Sequence, residues 1–163
     1  MEHKLLYMTK GEVPSEEYFV EFGIGAVHRE GKDATLIAWS NMVPRSLAAA
    51  EALAKEGIDV EVVDPRTLVP LDKAIILDSV RKTEHVVIVQ EAMRRGGVAS
   101  DIASIIQAEA FSSLDSPIEI LAGLNTPFPL TRPWKKPACP RKTTSSPPSN
   151  VRFTLKIQSP NYS

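Results

Sequence analysis

Few features of this sequence would place the protein in a membrane or in an oxidising compartment. Cys139 is the single cysteine, so no disulfide can form within the chain. No apolar run approaches the roughly 20 residues that a membrane-spanning helix requires. The amino-terminal residues also lack the uninterrupted apolar core of a signal peptide. These absences together predict an intracellular, reducing location, the cytoplasm.

An excess of charge of either sign is also absent. The 19 Lys and Arg residues nearly balance the 20 Asp and Glu residues, which leaves a formal net charge of -1. Such a balance gives no general electrostatic reason to expect nucleic acid or a membrane surface as the partner, although a local patch remains compatible with it. A chain of 163 residues with 43% apolar content has room for one ordinary core, which predicts one domain.

What the sequence does contain is a series of apolar, β-branched runs that alternate with helical patterns. This alternation is typical of a parallel sheet with helices on both faces. It predicts an α/β fold, a three-layer sandwich with a mainly parallel sheet of four to five strands and right-handed crossovers. The predicted strands are Ala34 to Trp39, Ile58 to Val63, His85 to Gln90 and Pro117 to Leu121.

Three helices are predicted between these strands, each with a recognisable start. Ser40 or Asn41 can cap the first helix, Pro44 fits its first turn and Gly57 ends it. Asp72 opens the second helix. The third helix follows the pair Gly96-Gly97. The expected buried positions are Leu47, Ala50, Leu53 and Ala54 in the first helix, Ile75, Ile76 and Val80 in the second, and Ile102, Ile105, Ile106 and Ala110 in the third.

Three segments carry a resemblance to a known family. The most informative is IDVEVVDPRTLVPL (Ile58 to Leu71), a strand that passes through an Asp-Pro-Arg-Thr turn into a helix start. GKDATLIAWSNMV (Gly31 to Val43) precedes it, and VIVQEAMRRGGVASDI (Val87 to Ile102) follows. In this order they resemble the C-terminal domain of the β subunit of thiamine-diphosphate-dependent 2-oxo acid dehydrogenases, of the pyruvate and acetoin dehydrogenase type. The resemblance implies a transketolase C-terminal-domain-like fold.

The resemblance also implies a domain organisation. Residues 1–17 are expected to be a remnant of the preceding domain and a linker, 18–130 the transketolase C-terminal-like domain, and 131–163 an aberrant, disordered tail. Met1 then resembles an internal methionine, and the chain is truncated at its amino end. The alternative is a natural short protein with its own disordered amino end.

The expected tail departs from the family pattern. From about Arg132 onward it is rich in Pro, Ser, Lys and Thr, as disordered segments are. In the reading frame two bases later, the codons of Trp134 and Lys135 encode glutamate and the family's ending becomes readable. We therefore expect a frameshifted translation, although Val151 to Gln158 alternates like a half-buried strand. Three milder departures from family preferences precede this segment: Asn125, Leu130 and Thr131.

The family's cofactors, thiamine diphosphate and Mg²⁺, are expected in the parent enzyme and not on this chain. In the family they lie between an α-subunit domain and the β-subunit domain that precedes this one. Diphosphate binding there uses a Gly-Asp-Gly turn followed by paired asparagines, which present oxygen ligands to Mg²⁺. This sequence contains neither motif, and Glu12, Glu16 and Glu17 match no activating-glutamate motif. We expect no catalytic, cofactor-binding or metal-binding residue here.

Two further places could be functional, as an anion-binding site or as a reactive carboxylate, but each also has a simpler structural interpretation. Gly96-Gly97, beside Arg94 and Arg95, could offer backbone N–H groups to an anion. The favoured interpretation is that the glycines only allow a tight strand-to-helix turn. Glu91 follows a strand, where α/β sheets place functional groups, although a structural or capping role is favoured.

The sequence contains no pattern that indicates metal binding by histidines or a catalytic nucleophile. His3, His28 and His85 lie far apart, without the spacing of metal ligands around any of them. No motif indicates a Ser/His/Asp nucleophile site either. The sequence therefore gives no support to a metal site or a nucleophile site.

What the resemblance implies instead is partner binding. The family's domains pair across a twofold axis in an α2β2 assembly of dehydrogenase α and β subunits. They also dock the basic subunit-binding domain of the dihydrolipoyl acyltransferase, where an acidic residue in a Leu-Asp-x-Pro turn is a known type of contact. The matching turn is Leu114-Asp115-Ser116-Pro117, so Asp115 is the expected partner contact. A role for Asp115 in ending the preceding helix is the alternative, and the altered tail should impair docking.

Two functions follow from these observations. The first is a fragment of the β subunit of a 2-oxo acid dehydrogenase, with pyruvate dehydrogenase as the favoured member. This fragment would serve subunit assembly and docking and would be inactive alone. Its parent would decarboxylate the 2-oxo acid oxidatively and pass the acyl group to lipoamide. The second is a stand-alone, non-catalytic interaction module that binds dehydrogenase subunits. Exposed apolar surface is expected in either case.

Overall fold

The computed structural model describes residues 3–125 of the chain. Predictions for the tail, including the strand at residues 151–158, the departures Leu130 and Thr131, and Cys139, lie outside the described residues. Within them, five strands form one sheet in the order β1-β3-β2-β4-β5. The strands are β1 Ala26–Arg29, β2 Ala34–Ala38, β3 Val60–Asp64, β4 Val86–Met93 and β5 Glu119–Gly123. The helices are α1 Met42–Ala54, α2 Lys73–Thr83 and α3 Val98–Glu109, with 3-10 turns at Lys4–Leu6 and Phe111–Ser113.

The sheet is mainly parallel, as the sequence predicts. Strands β3, β2, β4 and β5 run parallel to one another, and β1 alone pairs antiparallel, at the free edge of β3. The pattern of the sequence did not identify β1, because its four residues, AVHR, are short and carry two polar side chains. The predicted class, an α/β sandwich with four to five strands, is confirmed.

The three layers follow from strands that are buried on both sides. Successive side chains of a strand point to opposite faces, so Leu36 and Val62 face one helical layer while Ile37 and Val63 face the other. Helix α1 covers the first face, and α2 and α3 cover the second. A strand covered twice needs apolar residues at nearly every position, which explains the continuous run in β2.

The helix ends agree with the sequence in one case and differ in another. Asp72 caps α2 as expected, because its carboxylate accepts a hydrogen bond from the Ile75 N–H at 3.2 Å. Asn41 precedes α1 in a helical conformation without a capping bond, since its side chain is bonded elsewhere. Ala54, expected on the buried face of α1, is exposed in the last turn. None of the helices in residues 3–125 is long and apolar enough to cross a bilayer.

Candidate partner-binding site

The turn at residues 114–117 joins the 3-10 turn after α3 to the approach to β5. Leu114 and Ile118, on either side of Asp115, pack partly buried against the core under α2 and α3. The Asp115 backbone N–H donates to the Glu84 carbonyl oxygen at 3.0 Å. The turn is therefore attached to the domain at three points. The Asp115 side chain is nevertheless 74% exposed, so its carboxylate is presented to solvent from a fixed support.

His85 is the described neighbour of that carboxylate. Its Nε2 lies 3.8 Å from Asp115 Oδ2, and its Nδ1 lies 2.9 Å from the Ser116 hydroxyl oxygen. The 3-10 turn before Asp115 ends through a backbone bond from Leu114 to Phe111, so no described contact supports a capping role for the Asp115 carboxylate. Ser116, His85 and Asp115 come together only through the fold, because about 30 residues separate His85 from the other two.

The arrangement of these three residues differs from a hydrolytic triad. In a triad the acid binds one ring nitrogen tightly and the nucleophile contacts the other ring nitrogen in a cleft. Here the hydroxyl bonds Nδ1 while the carboxylate is beyond hydrogen-bond distance of Nε2, and the Asp115 side chain lies mostly in solvent. The geometry suits the recognition of a charged surface better than nucleophilic catalysis.

A polar pocket of about 530 Å³ opens beside this turn, at the amino ends of the central strands. It is lined by Lys32, Asp33, Ile58, Lys82, Thr83, Glu84 and His85. Four of these residues carry a full charge, two of each sign. The pocket is therefore a mixed-charge surface continuous with His85, not a basic site for a phosphate.

Beneath the pocket is a buried ionic cluster that the sequence did not reveal. Glu61, the second residue of β3, is 1% exposed and accepts hydrogen bonds from Lys82 Nζ and from the Ser79 hydroxyl. Lys82 also donates to Glu30 Oε2 at 2.7 Å. The hydrogen bond from Lys82 holds the pKa of the Glu30 carboxyl below its ordinary value, and the Glu30 and Glu61 carboxylates raise the pKa of Lys82. The run IDVEVV predicted a strand, but nothing in the pattern indicated that its glutamate is buried and paired with Lys82.

Glu91, expected just after a strand, lies within β4, toward the carboxyl ends of the parallel strands and away from the pocket. Its Oε2 is 2.7 Å from His3 Nε2, and its Oε1 accepts from the Asn41 amide at 3.3 Å. The Leu5 backbone N–H donates to His3 Nδ1 at 3.2 Å, so Nε2 is left to donate to Glu91. Both carboxylate oxygens are thus occupied, and Glu91 joins the amino-terminal segment to the domain.

The structure explains Gly96 by its backbone conformation and Gly97 by packing. Gly96 has a φ of +68°, a conformation that favours glycine. The buried Gln90 side chain lies where a Cβ on Gly97 would be, donating to the Met93 carbonyl at 2.9 Å and accepting from the Ala99 N–H at 3.0 Å. Gln90 therefore already occupies one N–H of the α3 amino terminus. This contact favours the structural interpretation of the glycine pair over an anion site.

The three histidines lie in separate places. His3 bonds Glu91, His28 is 3.4 Å from Asp64, and His85 contacts Ser116. Within residues 3–125, no group of three or more His, Cys, Asp or Glu side chains could hold a metal ion.

The entering segment, residues 19–25, is held by the Asp-Pro-Arg-Thr turn at residues 64–67 and by Asp72 at the start of α2. The Gly23 N–H donates to Thr67 Oγ1 at 2.8 Å, and the Gly25 N–H donates to Asp72 Oδ2 at 2.8 Å. Just before these anchors, the aromatic side chains are left in solvent. Phe19 is 84% exposed and Phe22 is 83% exposed, which is unusual for large apolar groups unless another surface covers them.

Residues 23–137 match the family described as the transketolase C-terminal domain, and this range is well over half of the 163 residues. The chain belongs to the transketolase C-terminal domain family. The resemblance carried by the three sequence segments is thereby confirmed, and so is the expected fold class. A solved structure of this fold, titled a split gene transketolase as an inactive beta4 tetramer, is 34% identical with a TM-score of 0.62. The matched region covers 71% of this chain and 37% of the transketolase chain.

Curated relatives of this transketolase C-terminal domain include β subunits. Acetoin:2,6-dichlorophenolindophenol oxidoreductase subunit beta of Cupriavidus necator is 44% identical over 130 residues, which cover 80% of this chain and 38% of the relative. Pyruvate dehydrogenase E1 component subunit beta of Bacillus subtilis is 43% identical over 133 residues, which cover 81% and 41%. The chain therefore spans about two fifths of the length of these relatives.

Asn125 is the departure from family preference that the structure describes. Its Oδ1 accepts a hydrogen bond from the Arg95 backbone N–H at 2.9 Å. An amide oxygen accepts this bond as a carboxylate oxygen would, so Asn in place of Asp keeps the contact that joins the β4–α3 connection to the end of β5.

Proposed function

We propose that this chain is the assembly and docking domain of the β subunit of a thiamine-diphosphate-dependent 2-oxo acid dehydrogenase, most specifically a pyruvate dehydrogenase. The observation that carries the proposal is the similarity of this α/β domain to part of the β subunits of acetoin and pyruvate enzymes. The matched part is about two fifths of the length of those subunits. The parent enzyme would decarboxylate a 2-oxo acid oxidatively and transfer the acyl group to lipoamide, using thiamine diphosphate and Mg²⁺. The partners would be the dehydrogenase α and β subunits and the dihydrolipoyl acyltransferase.

The residues between 3 and 125 do not fit the cofactor. No described cluster offers the oxygen ligands that Mg²⁺ takes beside a diphosphate. At the amino terminus of α3, the Ala99 N–H that could bind a phosphate is already bonded to Gln90. No catalytic step is assigned to this chain, and we expect the purified protein to be inactive alone. Release of CO₂ from pyruvate by the purified chain with thiamine diphosphate and Mg²⁺ would contradict this part of the proposal.

Docking to the acyltransferase is assigned to Asp115. Its carboxylate is exposed, is held on an attached turn and is not neutralised by a described Lys or Arg, which suits a contact with a cationic side chain of a basic domain. A charge at the rim of an interface acts mainly on association rate and salt dependence. The contact should therefore weaken as ionic strength rises.

The experiment is calorimetric titration of the chain with a purified subunit-binding domain of a dihydrolipoyl acyltransferase. We expect Asp115→Asn to weaken binding roughly fivefold, the effect of one charge acting on another at about 4 Å in water. Asp78→Asn is the matched control, because Asp78 is equally exposed on α2 and pairs only with Arg81 among the described contacts. Equal affinities for wild type and Asp115→Asn would remove Asp115 from the interface.

The exposed aromatic residues favour assembly through the entering segment, and they also support the second candidate function. If the chain acts as a stand-alone interaction module, Phe19 and Phe22 would bind another β subunit directly. Co-purification of the chain with a full-length β subunit would support that role. Failure to capture the β subunit, in the presence of measurable acyltransferase docking, would leave only the first function.

A further inference from the structure

We propose that His85 makes docking at Asp115 dependent on pH, so that protonation of the imidazole weakens the binding of a basic partner. The inference rests on the proposed docking function and adds a control to the same site. Its basis is the contact of His85 Nε2 with Asp115 Oδ2 at 3.8 Å, which is the ion-pair contact that the structure describes for that carboxylate. Histidine ordinarily changes charge between about pH 5 and 8.

The ring is held in a fixed orientation by Ser116. The hydroxyl lies 2.9 Å from Nδ1 and can donate to it when the ring is neutral or accept from it when the ring is protonated. In both states Nε2 therefore remains directed toward Asp115. Titration changes the charge beside the carboxylate without needing to move the ring.

The electrostatic consequence has a defined sign. When His85 is neutral, the Asp115 carboxylate is free to attract a cationic partner group. When His85 is protonated, its charge neutralises Asp115 and repels the incoming cation. Binding of a basic partner should then release a proton, and affinity should be higher at pH 8, where histidine side chains are ordinarily neutral, than at pH 6.

Other charged groups also face His85. On the pocket side they come from the β1–β2 connection and from the end of α2, and on the other side from the turn at residues 114–117. They are Lys32, Asp33, Lys82, Glu84 and Asp115. Lys82 is occupied by Glu30 and Glu61, and Asp33 accepts a bond from the Asp59 N–H at 2.6 Å. Lysine, aspartate and glutamate side chains ordinarily keep their charge between pH 6 and 8, whereas a histidine side chain changes charge there, so we assign the change in charge to His85.

The test is calorimetric binding of the purified subunit-binding domain to the full chain at pH 6 and pH 8, at constant low ionic strength. Wild type should bind roughly fivefold more weakly at pH 6 than at pH 8, the factor for one unit charge at about 4 Å in water. His85→Gln should bind at pH 6 as wild type does at pH 8. His85→Lys, which is charged at both pH values, should bind weakly at both.

The matched control is His28→Gln, because His28 pairs with Asp64 away from the docking turn and should leave the wild-type pH dependence unchanged. Circular dichroism at both pH values checks that each variant is folded. If Asp115→Asn weakens binding but His85→Gln keeps the wild-type pH dependence, the inference is overturned and docking stands. If wild type does not bind at either pH, the docking function and the inference fall together.

Discussion

At the scale of single residues, the least expected feature is a buried carboxylate near the start of β3. Glu61 is 1% exposed, and its charge is compensated by Lys82, the Ser79 hydroxyl and the Gly31 backbone N–H, 3.3 Å from Oε2. A buried charge costs free energy unless it is paired and hydrogen-bonded. The cluster therefore makes Lys82 more important to folding than its position near the surface indicates.

Removing Lys82 should destabilise the domain. We expect Lys82→Met to lower the free energy of unfolding by about 2 kcal/mol, less than the roughly 3–5 kcal/mol for a fully buried pair, because Lys82 is 43% exposed. Lys73→Met on the same helix is the control, since Lys73 pairs with Glu109 on the surface, and it should cost under about 0.5 kcal/mol. Urea unfolding followed by circular dichroism measures both. Equal losses in the two variants would contradict a special role for Lys82.

The same cluster predicts a dependence of stability on pH. Because the pKa of Glu30 is lowered on folding, its contribution is present above its ordinary value of 4.5 and is lost as pH falls below that value. Because the pKa of Lys82 is raised, its contribution persists up to its ordinary value of 10.5 and is lost only above it. Urea midpoints should therefore fall more steeply below pH 4.5 in wild type than in Glu30→Gln. Parallel curves for the two proteins would refute this assignment.

At the scale of elements, the start of α3 depends on the fit between a glutamine and a glycine. Gln90 ends the buried part of β4 and folds its amide over the turn, where it binds both the Met93 carbonyl and the Ala99 N–H. Gly97 is the residue whose missing side chain makes room for that amide. The strand and the helix are therefore joined by a side chain acting as a cap.

Filling that space should weaken the junction. A Cβ at residue 97 would meet both the Gln90 amide and the Met93 carbonyl oxygen, so Gly97→Ala should cost about 1–3 kcal/mol. Gly11→Ala is the control, because no atom lies within 4 Å of its added Cβ, and it should change stability by less than about 0.5 kcal/mol. Thermal unfolding of both variants tests the difference. If Gly97→Ala is as stable as Gly11→Ala, the cap is not tightly packed.

At the scale of the whole molecule, the entering segment leaves apolar surface uncovered. The hydrogen bonds of Gly23 and Gly25 attach it to the domain, but Phe19 and Phe22 make little contact with the core. Apolar side chains exposed in this way mark a surface that another protein can cover.

Self-association should therefore depend on these aromatic side chains. We expect the double variant Phe19→Ser, Phe22→Ser to shift the chain toward monomer in sedimentation velocity, because it removes apolar area that an interface would bury. Phe111→Ser is the control, since Phe111 is 65% exposed but follows α3, outside the entering segment. An unchanged sedimentation profile in the double variant, or an equal shift in Phe111→Ser, would argue against an interface at this segment.

The sequence by itself determined the family, the α/β class and most of the elements, because these depend on local patterns. A strand buried on both faces must be apolar throughout, and a cap such as Asp72 acts within three residues. Only the tertiary structure decided the antiparallel β1, the contact of His85 with Asp115 and the pairing of Glu61 with Lys82. Those contacts join residues about 20 to 40 positions apart. Which of them meet depends on strand order and on how the helices cover the sheet, and no local pattern contains that information.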